Sequence, residues 1–250
     1  MWPYPKIVAH RGGGTLAPEN TFAALRCGLA YGFHAVEFDV MLARDGVGVV
    51  VHDEILGRTV AAAGKVGDYT SGELAALDAG SWFSPLFGDE TVPEFSRFLA
   101  YCKAQHIWMN IEIKPAEGAD AETGRIVAAV TRGHFSAELG AGDPARLPLL
   151  SSFSVAALIA ARSEAPDLPR AWLTERIPAD WQAQAAALGV VAVHTKHQHL
   201  TAALAQEIKR AGLGLFCYTV NETARASEIL AWGVDGICTD RIDLIGPSFA

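Results

Sequence analysis

The chain has few cysteines, no apolar run long enough to cross a membrane and little positive charge. Its four cysteines (Cys27, Cys102, Cys217 and Cys238) lie far apart without a C-x-x-C pair, so we expect reduced core residues of a cytoplasmic protein. No stretch approaches the roughly 18 apolar residues of a membrane span. The N-terminal residues lack the basic and apolar regions of a signal peptide. These features predict no stable membrane association.

The charge balance argues against a second class of partner. The net charge is -8, and only 20 of the 250 residues are lysine or arginine. A chain with this balance is not expected to bind nucleic acid or an anionic membrane surface. Any attraction for an anionic ligand must therefore come from a metal ion and a few cations gathered at one place.

Length and patterning favour a single α/β domain over residues 1–250. Half of the residues are hydrophobic, and this length is usual for a (β/α)8 barrel. Helical stretches that end at a glycine alternate with short apolar strands, which predicts parallel βα units. The eight predicted strands are residues 6–9, 35–40, 107–112, 148–152, 170–173, 190–194, 213–218 and 235–239. The predicted fold is therefore a TIM barrel.

One segment interrupts this alternation after the second predicted strand. Asp45-Gly46 is typical of a hairpin turn, and an extra strand is predicted at residues 47–51. The residues that follow, from about 53 to 92, are too many for a plain connection between a strand and a helix. We expect them to form a small inserted subdomain over the mouth of the barrel.

Charged side chains stand at the carboxyl ends of the predicted strands, where barrel active sites lie. Glu37 and Asp39 are two residues apart, as are Glu112 and Lys114, so each pair points to one face of its strand. A buried core has no use for unpaired charge. Ligands that are all carboxylates suit Mg²⁺ or Ca²⁺ better than zinc. We therefore predict a divalent metal site formed by Glu37, Asp39 and Glu112.

Four more residues complete a site for a phosphate ester. Arg11 can bind phosphate with two parallel hydrogen bonds, and Lys114 adds a compact positive charge. His10 and His52 can divide the roles of general base and general acid between them. A metal ion would polarise a phosphoryl oxygen. Together these residues predict the cleavage of a phosphodiester.

The motifs of the chain also resemble those of the glycerophosphodiester phosphodiesterases, and within that family the cytosolic bacterial enzymes associated with glycerol 3-phosphate uptake. The matching motifs, which keep the family's order over nearly the whole chain, are His10-Arg11-Gly12, Ala17-Pro18-Glu19-Asn20-Thr21, Glu37-Phe38-Asp39-Val40, His52-Asp53, Arg58-Thr59, Asn110-Ile111-Glu112-Ile113-Lys114, Ser151-Ser152-Phe153, Tyr218-Thr219-Val220-Asn221 and Cys238-Thr239-Asp240. The resemblance implies a TIM barrel with a small insertion. It also implies the metal, acid–base and phosphate-binding roles given above.

Several further side chains are candidates for the substrate pocket or its surroundings. Many members of the family have tryptophan where this chain has Tyr218, which keeps an aromatic wall but is smaller and adds a hydroxyl group. His194 is expected to end a strand and to face the site. Trp82 and Phe83 belong either to the core of the insertion or to a wall of the substrate pocket. Asn20 is expected to cap a helix.

The favoured function is metal-dependent hydrolysis of glycerophosphodiesters, such as glycerophosphocholine and glycerophosphoethanolamine, to sn-glycerol 3-phosphate and an alcohol. The nucleophile is either water or the glycerol 2-hydroxyl, which would act through a cyclic phosphate. Two alternatives are a lysophospholipase D-type activity on lysophospholipids and a non-catalytic barrel that binds glycerol phosphate. The apolar residues eligible for the surface are compatible with a homodimer.

Overall fold

The computed structural model describes residues 2–249 and contains a closed barrel of parallel strands surrounded by helices. The strands are β1 (Ile7–His10), β2 (Ala35–Leu42), β3 (Gly48–Val50), β4 (Trp108–Ile113), β5 (Leu149–Ser152), β6 (Arg170–Thr174), β7 (Ala192–Lys196), β8 (Gly214–Tyr218) and β9 (Gly236–Thr239). All except β3 belong to the barrel, and each of the eight predicted strands overlaps one of them. The predicted TIM barrel is confirmed.

Strand pairing closes the barrel through its first strand. β1 pairs in parallel with β2 on one side and with β9 on the other. β3 pairs with β2 and runs antiparallel to it, with Met41 opposite Val49. The turn of this hairpin contains Gly46 at φ +75°, a conformation that favours a residue without a side chain. The hairpin predicted at Asp45-Gly46 is therefore present.

Helices connect the strands and cover the outside of the barrel. They are α1 (Phe22–Ala30), α2 (Ser71–Leu74), α3 (Phe95–Ala104), α4 (Asp120–His134), α5 (Ser136–Ala141), α6 (Val155–Glu164), α7 (Trp181–Leu188), α8 (Ala202–Arg210) and α9 (Thr223–Ala231). The hydroxyl of Ser154 caps α6 and that of Thr201 caps α8, because each accepts a hydrogen bond from a backbone N–H in the first turn.

Side chains along each barrel strand alternate between an outer apolar layer and the interior. Met109, Ile111 and Ile113 of β4 pack in the core between the sheet and the helices. The residues between them, including Asn110 and Glu112, therefore face the inside of the barrel. The rings of Trp2 and Tyr4 pack at the amino ends of the strands, with Tyr4 against Trp108. Apolar packing fills that end, so charged groups collect at the carboxyl ends.

Residues 53–92 lie between the hairpin and α3 and pack on the hairpin. They contain two 3-10 helices, Val66–Asp68 and Pro85–Phe87, together with α2. A small apolar cluster of their own is completed by side chains of the hairpin, and it consists of Met41, Ala43, Val49, Val51, Leu56, Val60, Val66, Leu74, Ala79 and Val92. This cluster fixes the start of the segment, which carries His52, Asp53 and Arg58, at the carboxyl ends of the strands.

The structure bears on the sequence predictions about the cysteines and about membrane association. All four cysteines are free, and Cys102, Cys217 and Cys238 are buried. Among residues 2–249, none of the helices has the length and apolar composition needed to cross a bilayer.

Candidate active site

Three carboxylates from two adjacent strands form the centre of the site. β2 supplies Glu37 and Asp39, and β4 supplies Glu112, which stands directly opposite Asp39 in the strand register. One carboxylate oxygen from each residue lies within 4.8 Å of the other two. Both β2 residues are buried. We call these three residues the carboxylate cluster.

The three carboxyl groups of the carboxylate cluster have different pKa values because their surroundings differ. Burial, and then the negative charges of Asp39 and Glu112, raise the pKa of Glu37 well above its usual value. Burial and the charge of Asp39 likewise raise the pKa of Glu112 to about 8. Burial also acts to raise the pKa of Asp39, but the positive charges of Arg11 and Lys114 outweigh it, and the pKa of Asp39 is lowered. Negative charge in this cluster is therefore only partly compensated.

Two cations and a side-chain amide lie against the carboxylate of Asp39. Arg11 Nε lies 3.5 Å from Asp39 Oδ2, and Lys114 Nζ lies 3.5 Å from Asp39 Oδ1. Asn20 Nδ2 donates a hydrogen bond of 3.0 Å to Asp39 Oδ2. Both cations thus stand beside the carboxylate cluster, where a bound phosphate group would be within their reach.

His10 ends β1 and is held by a carboxylate. Its Nδ1 lies 2.5 Å from Oδ1 of Asp240, and its Nε2 lies 3.7 Å from Glu37 Oε2. Asn221 donates a hydrogen bond to the other oxygen of Asp240 at 2.9 Å and accepts one from the Asp240 backbone N–H. This arrangement fixes the imidazole so that Nε2 faces the carboxylate cluster.

His52 follows the β3 strand and has a carboxylate partner of its own. Its Nδ1 lies 2.6 Å from Oδ1 of Asp53. The guanidinium of Arg58 donates to the second oxygen of Asp53 through Nε. Burial acts to raise the pKa of Asp53, but the hydrogen bonds from Arg58 and His52 prevail and lower it to about 2. Asp53 is therefore ionised across the neutral range, and it orients His52.

Arg58 also connects this histidine to Arg11. It donates two hydrogen bonds to the carboxylate of Glu19, at 2.7 and 2.8 Å. Arg11 Nη1 donates to the same carboxylate at 2.7 Å. Glu19 thus accepts from both arginines, and Arg58 joins the acid–base side of the site to its cationic side.

The loop after β1 adopts strained backbone conformations to build this site. Arg11 has φ +49° and Asn20 has φ +60°, in the left-handed region that residues with side chains seldom occupy. The backbone N–H of Asn20 donates to the carbonyl oxygen of Arg11 at 3.0 Å, which closes the loop. At Gly14, with φ +55°, a Cβ atom would overlap the carbonyl group of Asp240. This glycine allows the loop to pass close to the residue that holds His10.

A cavity of about 40 Å³ opens beside the carboxylate cluster, inside the barrel. It is lined by His10, Glu37, Asn110, Glu112, Phe153, Leu173, His194, Phe216, Tyr218 and Cys238. The rings of Phe153 and Tyr218 meet edge to face with centroids 5.9 Å apart, and the Tyr218 hydroxyl donates to the carbonyl oxygen of Thr174. An aromatic wall therefore borders the cavity, and its Phe153 was not among the predicted pocket residues.

His194 does not end its strand, as the sequence analysis expected. The strand was predicted at residues 190–194, but β7 spans Ala192–Lys196 and so continues two residues beyond His194. His194 therefore lies deeper in the barrel, where its ring packs on Phe216 with centroids 4.7 Å apart. Neither ring nitrogen has a hydrogen-bond partner among residues 2–249. Burial lowers the pKa of His194 to about 3, so the ring is neutral where it lines the cavity.

The predicted role of Asn20 as a helix cap is wrong. Thr21 caps α1 instead, because its hydroxyl accepts a hydrogen bond from the backbone N–H of Ala24. Asparagine tolerates the left-handed conformation required one residue earlier, and there its amide is directed to Asp39. Asn221 also precedes its helix without capping it, since Glu222 occupies the cap position of α9. Both asparagines instead hold carboxylates of the site.

Trp82 and Phe83 lie on the surface of the insertion. Their exposed fractions are 44% and 36%, and their rings meet edge to face with centroids 5.7 Å apart. Of the two alternatives for this pair, these exposures argue against the core of the insertion. Trp82 is tied to its own segment, because Nε1 donates to the carbonyl oxygen of Ala79.

The side chains present fit a hard divalent cation. When all three carboxyl groups are ionised, as they would be around a bound ion, they and the two cations Arg11 and Lys114 leave one net negative charge at the centre of the site. A divalent cation would change this to one net positive charge, which matches the single negative charge of a phosphodiester. Burial and the neighbouring carboxylates raise the pKa values of Glu37 and Glu112, and a bound cation would lower both. Oxygen-only donors in a buried setting favour Mg²⁺ or Ca²⁺.

The raised pKa of Glu112 leads to a prediction about stability and pH. A carboxylate whose pKa is higher in the folded than in the unfolded state stabilises the fold at low pH, and this contribution is lost as pH rises through the folded value. In EDTA, we expect the free energy of unfolding to fall between about pH 5 and pH 8 more steeply in the unmodified protein than in Glu112→Gln, because the folded-state pKa of Glu112 is raised to about 8. Chemical denaturation at several pH values measures both slopes.

The difference in slope between these two proteins is the quantity to compare, because all their other titratable groups are the same. A saturating divalent cation should abolish the difference in the unmodified protein, since it holds Glu112 ionised at every pH of the series. Equal slopes for Glu112→Gln and the unmodified protein in EDTA would contradict the prediction.

Comparisons with known proteins agree with this fold and identify the family. A sequence model described as the glycerophosphoryl diester phosphodiesterase family matches residues 10–244. YhdW of Bacillus subtilis (strain 168) is 33% identical over 244 residues, which are 96% of each protein. A glycerophosphodiester phosphodiesterase of Caldanaerobacter subterraneus subsp. tengcongensis is 30% identical over 238 residues, 94% of this chain and 93% of the relative.

Solved structures give the same result. The phosphodiesterase OLEI02445 of Oleispira antarctica, solved in complex with its product sn-glycerol-3-phosphate, superposes with a TM-score of 0.86 at 33% identity. The superposition covers 94% of this chain and 93% of the other. A glycerophosphodiester phosphodiesterase from Agrobacterium tumefaciens str. C58 superposes with a TM-score of 0.79 at 31% identity, over 96% and 98% of the two chains.

Proposed function

Because this chain belongs to the glycerophosphoryl diester phosphodiesterase family and is a phosphoric diester hydrolase, we propose that it converts glycerophosphodiesters to sn-glycerol 3-phosphate and an alcohol with the help of a divalent metal ion. Glycerophosphocholine and glycerophosphoethanolamine are the proposed substrates. The observation that carries this proposal is the meeting of the carboxylate cluster with two carboxylate-held histidines and two cations at one end of the barrel.

The carboxylate cluster would hold Mg²⁺ or Ca²⁺. When bound, the ion polarises a phosphoryl oxygen and offsets the negative charge that develops there. Arg11 and Lys114 lie on the Asp39 side of the cluster and would bind the other phosphate oxygens. Lys114 lies 3.5 Å from Asp39 and can turn toward a ligand, whereas Glu19 holds Arg11 in place beside the cluster. The metal ion and the two cations would thus bind different oxygens of the phosphate.

His10 and His52 are the proposed acid and base. Each has Nδ1 on a carboxylate, so each presents Nε2 as the atom that gives or takes a proton. One histidine would remove a proton from the nucleophile, and the other would protonate the oxygen of the leaving alcohol. The nucleophile is water or the glycerol 2-hydroxyl, and solvent ¹⁸O incorporation together with a search for a cyclic phosphate distinguishes these two routes.

The cavity and its rim would receive the organic part of the substrate. Tyr218 offers an aromatic wall with a hydroxyl, and His194 offers a neutral ring with two unpartnered nitrogens. Trp82 and Phe83 would meet the alcohol group from the insertion. The exposure of this aromatic pair supports a role in contacting ligand rather than in packing.

The substrate class can be tested by comparing glycerophosphocholine with lysophosphatidylcholine at equal concentration. We expect release of glycerol 3-phosphate from the first and little choline release from the second, since the cavity is small. A preference for the lysophospholipid would instead support the lysophospholipase D-type alternative. Tight binding of glycerol 3-phosphate without turnover of any diester would support a non-catalytic barrel.

Arg58 is predicted to position the catalytic groups without touching the substrate. Arg58→Ala removes hydrogen bonds to Asp53 and Glu19 at once, so His52 and Arg11 lose their fixed orientation. Small displacements of catalytic groups can cost about 10²-fold in rate, and we expect a loss in kcat of this order. Arg58→Lys should recover only part of it, because a lysine cannot span both carboxylates.

Arg44→Ala is the matched control for this variant. Arg44 is an exposed arginine of the hairpin that binds Glu73 in the insertion, so its removal tests loss of an ion pair in the same region. In steady-state kinetics with glycerophosphocholine, the kcat of Arg44→Ala should be close to that of the unmodified protein. The positioning role of Arg58 is wrong if Arg58→Ala is equally active.

A further inference from the structure

A second group of metal-ligating side chains lies beside the carboxylate cluster and shares Glu37 with it. A ring nitrogen of His10, a carboxylate oxygen of Glu37 and Cys238 Sγ lie within 4.8 Å of one another. They stand on β1, β2 and β9, and β1 pairs with both of the other strands. Cys238 packs with the interior residues Val8 and Phe216, so its thiol faces the inside of the barrel. The proposed hydrolysis makes no use of this thiol.

The donor atoms differ in kind from those of the carboxylate cluster. Nitrogen, oxygen and sulfur together favour zinc and similar thiophilic cations over Mg²⁺ or Ca²⁺. Tetrahedral zinc with ordinary bond lengths places neighbouring donor atoms about 3.3–3.6 Å apart. His10 Nε2 and Glu37 Oε2 are 3.7 Å apart, close to that spacing. The sulfur of Cys238 is within 4.8 Å of one donor atom of each of these residues, so all three can converge on one ion by side-chain rotation.

The surroundings of His10 match those of a metal-bound histidine. Such a histidine usually directs its second ring nitrogen to a carboxylate, which fixes the ring and makes it a better ligand. Here Nδ1 lies against Asp240, which is itself held by Asn221. The cavity next to Cys238 leaves space for a water molecule as the fourth ligand. The site thus has a histidine ring in a fixed orientation and room for a fourth ligand.

We propose that His10, Glu37 and Cys238 form a binding site for a thiophilic divalent cation of the zinc class, and that its occupation inhibits the enzyme. The Cys238 thiol loses its proton to solvent as the metal–sulfur bond forms. Binding withdraws His10 from proton transfer and Glu37 from the carboxylate cluster. The inhibition rests on the proposed function, whereas the binding site does not.

Binding is tested with Co²⁺, whose bond to a thiolate absorbs in the near ultraviolet through charge transfer from sulfur. We expect metal-free protein titrated with Co²⁺ to develop this band, and Cys238→Ala to lack it. Cys217→Ala is the control and should keep the band, because Cys217 is equally buried but packs in the outer core. Cys238→Ser, which preserves the shape of the side chain, provides the same test if the alanine variant fails to fold.

Inhibition is tested by titrating Zn²⁺ into the enzyme during Mg²⁺-dependent turnover of glycerophosphocholine. Loss of one carboxylate that orients a ligand costs about 10- to 100-fold in metal affinity, so loss of the thiolate itself should raise the inhibitory Zn²⁺ concentration at least about 100-fold. We therefore expect potent inhibition of the unmodified protein and Cys217→Ala, and weak inhibition of Cys238→Ala.

The Co²⁺ titration and the Zn²⁺ inhibition test different parts of the proposal. No charge-transfer band in the unmodified protein, or a band that persists in Cys238→Ala, overturns the binding site. A band that depends on Cys238 without any difference in Zn²⁺ inhibition overturns the regulatory part alone. A Cys238-dependent band in a protein that hydrolyses no diester with any metal overturns the proposed function and leaves the binding site standing.

Discussion

Replacing His10 or His52 with alanine is expected to lower kcat for glycerophosphocholine by about 10²–10⁴-fold, the usual contribution of a positioned acid or base. Both imidazoles are fixed through Nδ1 by a carboxylate, Asp240 for one and Asp53 for the other. Neither histidine is needed to bind the phosphate, so KM should change much less than kcat. Steady-state kinetics on the purified variants measures both constants.

His34→Ala is the matched control for these variants. His34 is exposed and precedes β2, so it lies at the opposite end of the barrel from the carboxylate cluster. We expect its activity to remain near that of the unmodified protein. Near-full activity in both His10→Ala and His52→Ala would contradict the acid–base assignment.

A second substrate separates the acid from the base. An ester of glycerol phosphate with p-nitrophenol has a leaving group that departs without being protonated. The variant that lacks the general acid should therefore recover most of its rate on this ester, while the variant that lacks the general base should not. Equal losses on both substrates for both variants would show that the two histidines do not divide these roles.

Asp39→Asn is expected to have the largest effect of any single substitution at the metal site. It removes one ligand of the proposed ion and, in the same step, the charge that faces Arg11 and Lys114. A metal ion contributes several kcal/mol to catalysis, so the rate should fall by about 10³-fold or more. Asparagine keeps the size of the side chain, and the loss therefore reports charge rather than packing.

Metal binding gives a readout of this variant that does not depend on turnover. Adding Mg²⁺ or Ca²⁺ to stripped protein should raise the melting temperature of the unmodified chain, because the ion binds only the folded state. Asp39→Asn should show little of this increase. Asp167→Asn, which changes an exposed carboxylate outside the site, should show all of it. A full increase in Asp39→Asn would exclude Asp39 as a ligand.

Much of the barrel was predictable because its signals are local. Short apolar runs that alternate with helical stretches located all eight strands, and the two-residue spacing of Glu37 and Asp39 predicted that both side chains point to one face of the strand. The error at β7 arose because Val190 and Val191 extend the apolar pattern before the strand begins. One consequence is that His194 lies further inside the barrel than expected.

The contacts between distant parts of the chain were not predictable from local pattern. Arg58 reaches Glu19 across 39 residues, and Asp240 reaches His10 across 230. Asn20 has the residue type and position of a helix cap, yet the loop turns at this residue and directs its amide to Asp39. Ion pairs of this kind depend on how the insertion and the loops fold over the barrel, which no short motif specifies.

Metal-dependent phosphodiester hydrolysis at the carboxylate cluster is tested most directly by stripping the protein with EDTA and measuring release of glycerol 3-phosphate from glycerophosphocholine. Mg²⁺, Ca²⁺, Mn²⁺ and Zn²⁺ are then returned in turn. We predict no turnover in the stripped protein, recovery with Mg²⁺ or Ca²⁺, and no recovery in Asp39→Asn. Full turnover without metal, or equal recovery in Asp39→Asn, would contradict this account of the site.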